Sequence, residues 1–105
     1  MRPAQITVTG VNTSAAVPLD IYLTPMEVGV KLTPGAGATV SAQYTLDDVF
    51  DPTVTPTWFD VPVAALVGAT GVVAGSVKIP MTALRINQTV GATLSRMRVV
   101  QMGIR

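Results

Sequence analysis

The sequence contains no cysteine and no histidine, and only 12% of its 105 residues are charged. Each shortage removes a class of chemistry. Without cysteine there is no disulfide, no thiolate nucleophile and no Cys-ligated zinc. Without histidine the commonest general base and the commonest transition-metal ligand are gone. Aromatic residues make up 5% and lie mostly among acids, where a phosphate backbone would be repelled. The net charge of +1, with no run of Lys or Arg, recruits no nucleic acid by counterion release. The opening MRPAQITVTG has no apolar region of the kind a signal peptide needs. The longest apolar tract, VPVAALVGATGVVAG at 61–75, carries Pro62 and several glycines and is too short to span a bilayer. These features predict a soluble chain, made and used without secretion, with neither a nucleic-acid nor a membrane partner.

What is present is apolar and neutral. Apolar residues make up 49%, and a chain of this length suits one domain, residues 1–105, with one modest core. Soluble chains average about 25% charged residues, so this surface is unusually neutral. Thr, Ser, Gln and Asn must cover much of it, or another protein must.

The hydrophobic period is two. In MEVGVKL, Met26, Val28, Val30 and Leu32 share a face; in ATVSAQYTL, Val40, Ala42, Tyr44 and Leu46 do. The intervening TPGAGA predicts a hairpin joining the two runs. Further strands are expected at 4–10, 18–24, 57–61, 76–80, 82–89 and 92–103. Only VPVAALVGA could make a helical turn, because β-branched residues, Gly and eight spread Pro oppose longer helices. The expected fold is all-β: an antiparallel β-sandwich, jelly-roll-like, of about seven or eight short strands. Val28, Val30, Val40, Ala42, Tyr44, Leu46, Leu84 and Ile86 are expected to face inward.

One stretch concentrates acids and aromatics. YTLDDVFDPTVTPTWFD, 44–60, holds Asp47, Asp48, Asp51 and Asp60 beside Phe50, Trp58 and Phe59. Calcium would need six to eight oxygens, and the EF-hand spacing with its distal Glu is missing. A glycosidase would need two carboxyls flanking a sugar, with Asp48 and Asp60 the candidates. Asp51 before Pro52 is a common turn opening, and its carboxylate can accept local N–H groups. The favoured reading is therefore structural: the acids turn the chain, and Trp58 re-enters the core. No catalytic, cofactor-binding or metal-binding residue is assigned. The Gly-rich GATGVVAGS and the Asn12-Thr13-Ser14 segment do not form a phosphate loop.

Candidate interface residues come from two places. The tract at 61–75 offers Val61, Ala65, Leu66, Val67, Val72 and Val73. In the last strand, Arg96 and Arg98 share a face with Leu94 and Val100, while Met97 points the other way. Either a bulge or an edge position explains the arginines, or both faces are partly covered, one by the core and one by a neighbouring subunit. Ile104, near the chain end, belongs to the same candidate surface. Residues 1–17, weak in core pattern beyond Ile6 and Val8, can serve as an extended arm.

The order PLDIYLTPMEVGVKL, then TVSAQYTLDDVFDPTVTPTWFDV, then PMTALRINQTVGATLSRMRVVQ resembles small structural proteins of tailed bacteriophages, over residues 18 to 102. The resemblance brings no catalytic residue and no cofactor. It implies a virion protein made in the host cytoplasm, of the capsid decoration or cement type, whose partners are the major capsid protein and copies of itself as a trimer or dimer. A carbohydrate-binding sandwich on a fibre, and a tail or head–tail connector component, are the alternatives. An exposed, coplanar Trp58 and Phe59 would mark the carbohydrate module.

Overall fold

The computed structural model describes residues 4–19, 24–47, 49–79 and 81–104, and of 4, 24–27 and 102–104 the backbone only. The strands are β1 (Ala4–Thr9), β2 (Asn12–Thr13), β3 (Val17–Pro18), β4 (Thr24–Thr33), β5 (Thr39–Thr45), β6 (Trp58–Asp60), β7 (Val73–Val77), β8 (Ala83–Val90) and β9 (Leu94–Ile104). A single 3-10 turn, Ala64–Leu66, is the one helical element among the described residues. It falls where the sequence allowed one.

Two sheets form. The first has the order β1-β9-β4-β7, the second β2-β8-β5-β6, with β3 also paired to β8. All pairings are antiparallel. β2 and β3 are pieces of one edge strand: Thr13 pairs with Asn87 and Val17 with Leu84. Ser14 keeps the ladder between them. Its N–H donates to the Ile86 carbonyl at 2.9 Å, and its hydroxyl accepts the Ile86 N–H at 3.0 Å. With β2 and β3 taken as one strand, successive strands alternate between the sheets except β5 and β6, which pair with each other in the second sheet, the order of a jelly roll.

The core lies between the sheets and follows the period-two pattern. Val28, Val30 and Leu32 of β4 and Met97 and Val99 of β9 meet Val40 and Ala42 of β5 and Leu84 and Ile86 of β8, all buried. Tyr44 packs at the rim, its ring 5.8 Å from that of Phe59. Leu46 departs from expectation: it is 60% exposed. β5 ends one residue earlier, at Thr45, whose buried hydroxyl accepts the Asp47 N–H at 3.1 Å and turns the chain away from the core.

The hairpin expected at TPGAGA is not formed. β4 and β5 lie in different sheets, so residues 34–38 carry the chain across the sandwich. Residues 91–93 do the same between β8 and β9. The two crossings touch. The Gly35 N–H donates to the buried Ser95 hydroxyl at 3.0 Å, and the Thr93 hydroxyl donates to the Ala36 carbonyl at 3.1 Å. From within, the buried Gln88 amide donates to the carbonyls of Gly91 and Thr93 at 3.1 and 3.0 Å. The expected arm also departs from the prediction. Over its described part, residues 4–17 build β1 and the β2–β3 edge rather than reaching outward. The expected strand over 18–24 lies largely outside the described residues.

The crossings need close backbone approach. A Cβ at Gly35 would sit 2.5 Å from the Leu94 carbonyl oxygen and closer still to the Thr93 hydroxyl. Gly35→Ala should therefore destabilise by about 1–3 kcal/mol or more, as overpacking does, read as a lowered thermal midpoint. An unchanged midpoint would show that the crossings are not packed as described.

Candidate interaction surface

Strand direction decides which loops meet. Thr9 pairs with Leu94, Thr39 with Val90, and Leu32 with Val73. Val40 bridges to Ala69. Residues 10–11, 34–38, 67–72 and 90–94 therefore share one end of the sandwich. None of them is charged. Several of their larger side chains face solvent: Val11 is 72% exposed, Val72 65%, Val90 53% and Leu94 45%. The Val67 side chain is exposed on the same end. Such an end is the kind of surface that marks an interface. The opposite end differs. Its β5–β6 connection carries Asp47 and Asp51, and Lys78 follows β7.

The acids of the β5–β6 connection are engaged locally. The Asp47 carboxylate accepts the Thr57 N–H at 2.7 Å and the Thr45 hydroxyl at 3.4 Å. The Thr82 hydroxyl donates to the carbonyls of Thr45 and Asp47, tying the same corner to β8. Asp51 accepts both the hydroxyl and the N–H of Thr53, at 2.7 and 2.9 Å, while the Val54 N–H closes a turn onto the Asp51 carbonyl. The Thr53 hydroxyl, then its N–H, hold the Asp51 carboxyl below the ordinary aspartate value. Asp60 accepts from the Gln43 amide at 3.2 Å. The described carboxylates thus act as turn and strand partners; Asp48 lies outside the described residues.

Trp58 departs from the expected core position. Residues 58 and 60 of β6 stand on the outer face of the second sheet, and Trp58 is half-buried there. The Arg85 guanidinium covers its ring at 4.5 Å from the centroid, while Arg85 Nε donates to Gln43 at 2.8 Å. Burial lowers the Arg85 pKa from its ordinary value. Phe59 points to the other face, as successive strand residues must. Trp58 and Phe59 therefore form no coplanar platform.

The proposed interface residues separate into groups. Val61 and Leu66 are buried members of the core. They are corrections: the β6–β7 connection folds back between the sheets and uses both side chains as filling. Val73 packs against the same core, partly buried. Ala65, Val67 and Val72 are exposed. Arg96 and Arg98 are exposed on the outer face of the first sheet, beside Lys31, which pairs directly with Arg98. Arg98 donates to Gln5 at 3.1 Å. The bulge or edge position expected for these arginines is absent. β9 is a central strand with unbroken register to β1, and its only shift against β4 falls between Thr24 and Glu27. The Ile104 side chain lies outside the described residues. Sequence reading missed Val11, Val90 and Leu94. The available signal was the absence of charge in four separate segments, which becomes a surface only once topology brings them together.

The architecture is an all-β sandwich with two antiparallel sheets in jelly-roll order. No family model matches the sequence, and no curated protein does. Among solved structures it is similar to a chain of Bacillus endospore appendages, described as "a novel family of disulfide-linked pili". The TM-score is 0.53 at 14% identity, over 99% of this chain and 87% of that one. At that identity the likeness is one of fold.

The Asp51 geometry predicts a titration. In Thr53→Val the carboxylate loses its hydroxyl donor, so the Asp51 pKa should rise toward the ordinary aspartate value. Because the native shift is downward, the stabilisation it brings is present above the unfolded pKa and is lost as pH falls through the folded one. Carboxyl NMR titration of wild type and variant checks this; an unmoved pKa would remove the Thr53 hydroxyl as the cause.

Proposed function

We propose that this chain is a structural subunit that works in many copies, seated by its uncharged end on a larger shell. In its specific form it is a bacteriophage capsid decoration protein bound to the major capsid protein. The observation that carries this reading is the end formed by residues 10–11, 34–38, 67–72 and 90–94, charge-free and bearing exposed Val11, Val72, Val90 and Leu94. Full burial of a Val or Leu side chain contributes up to about 1.5–3 kcal/mol. A few such side chains give a modest single contact, and multiple copies on one shell turn modest contacts into firm attachment. The end is backed by the sheet crossings at 34–38 and 91–93, so little ordering cost accompanies docking.

The resemblance over residues 18 to 102 supports the virion form of the reading. The Bacillus appendage chain adds that a similar fold occurs in pili. A disulfide link has no counterpart here, because this sequence has no cysteine. The carbohydrate alternative is weakened by the Arg85 cover over Trp58 and by the opposed directions of Trp58 and Phe59.

A charge-insertion pair tests the proposal. Wild type should co-sediment with phage capsid shells. Val11→Asp/Val72→Asp, changed only at exposed positions, should keep its thermal midpoint within a few degrees and bind at least about tenfold more weakly, a loss of about 1.4 kcal/mol. Equal binding by the double variant, or no binding by wild type, overturns the reading. Binding at about six or twelve copies per particle, the numbers of a ring at one vertex, would replace the decoration role with the connector one.

A further inference from the structure

The two sheets treat their edges differently. The second sheet ends in β6, three residues long, and in the β2–β3 edge, two residues each, broken at 15–16 and closed by Pro18. Short, interrupted, Pro-bearing edges resist the addition of another strand. The first sheet ends in β1, six residues, and β7, five residues. Neither AQITVT nor VAGSV contains Pro or a charged residue. Neither carries a bulge: the register runs unbroken from Ala4 to Thr9 against β9 and from Val73 to Val77 against β4. Among the described residues, their backbone groups bond only to β9 and β4. The 3-10 turn approaches β7 on its core side, where a Cβ at Gly75 would meet Val63 at 3.3 Å and Leu66 at 3.5 Å. The backbone N–H groups of Leu66 and Val67 donate to the Val63 and Ala64 carbonyls rather than to β7. An edge strand presents a row of outward N–H and C=O groups, and among the described residues neither β1 nor β7 carries a Pro, a charge or a bulge.

The polarity of the two edges is complementary. In the order β1-β9-β4-β7, three successive antiparallel pairings make β7 run opposite to β1. A second copy in the same orientation therefore offers its β7 to β1 as an antiparallel partner. We propose that β1 of one copy pairs with β7 of the next, so that the first sheet runs on from subunit to subunit. The facing side chains fit. With Thr7 opposite Ser76 on the outer face, Thr9 faces Ala74, small and neutral throughout. On the core face the same register sets Ile6, only partly buried at its rim, against Val77, and Val8 against Gly75. The contact is heterologous and builds rings or open rows rather than closed pairs. It also points every uncharged end the same way. A two-fold β1–β1 pairing would aim those ends in opposite directions, which one shell cannot use. The choice of the head-to-tail arrangement thus rests on the docking reading, whereas the availability of the edges does not.

The absence of cysteine makes the test direct. Thr7 and Ser76 are exposed on the outer face at opposite edges, three strand spacings apart, so they cannot bridge within one chain. Three variants are oxidised and run without reductant: Thr7→Cys, Ser76→Cys, and the double variant. Head-to-tail pairing predicts a ladder of multimers from the double variant, a cross-linked heterodimer when the single variants are mixed, and at least tenfold less dimer from either single variant alone. Dimer from Thr7→Cys alone at the level of the mixture means two-fold pairing and overturns the proposal, as does the same result from Ser76→Cys alone. No cross-link in any sample also overturns it. The variants keep Val11 and Val72, so shell co-sedimentation is read separately. Binding without a ladder refutes the edge pairing alone, and a ladder without binding refutes the docking reading alone.

Discussion

The structure depends on two stacked crossings. At 34–38 and at 91–93 the chain leaves one sheet for the other, and the crossings are locked by the Gly35 N–H on Ser95, the Thr93 hydroxyl on Ala36 and the Gln88 amide on Gly91 and Thr93. Gly91 serves the same junction. Its φ of +100° and the 2.9 Å that would separate a Cβ from the Ala38 Cα leave room for glycine only. Because both connections cross, β4 and β9 share one sheet and β5 and β8 the other. If both turned as hairpins, β4 would pair with β5 and β8 with β9, and the jelly-roll order would be lost.

Topology converts a scattered sequence property into a surface. Four uncharged segments far apart in the chain meet at one end, while Asp47, Asp51 and Lys78 sit toward the other and Lys31, Arg96 and Arg98 line the outer face of the first sheet. That separation suits a protein with one docking end and a hydrated remainder. It also accounts for the low charge content: the few charges are placed where water is kept.

Much of the fold was legible because period-two alternation reports directly on which side chains enter the core. Val28, Val30, Val40, Ala42, Leu84 and Ile86 are buried for that reason. Alternation does not report which strand is the neighbour. TPGAGA has the composition of a tight turn, yet the same Gly and Pro residues serve a crossing, and only the partner segment at 91–93 decides between them. Trp58 was misplaced because a lone large aromatic suits a core, whereas here Arg85 and the Gln43 side chain give it a covered place outside. Of the candidate surface, the neutrality of 61–75 was readable. That Val61 and Leu66 turn inward depends on the 3-10 turn tucking under Gly75, a tertiary fit with no local signature.

The central claim is that the charge-free end is the docking end. Cryo-electron microscopy of the assembled particle tests it most directly. The account predicts residues 10–11, 34–38, 67–72 and 90–94 buried against the shell, with the β5–β6 connection and its Asp47 and Asp51 facing solvent. Those four segments facing solvent, with the acidic end buried instead, would contradict it.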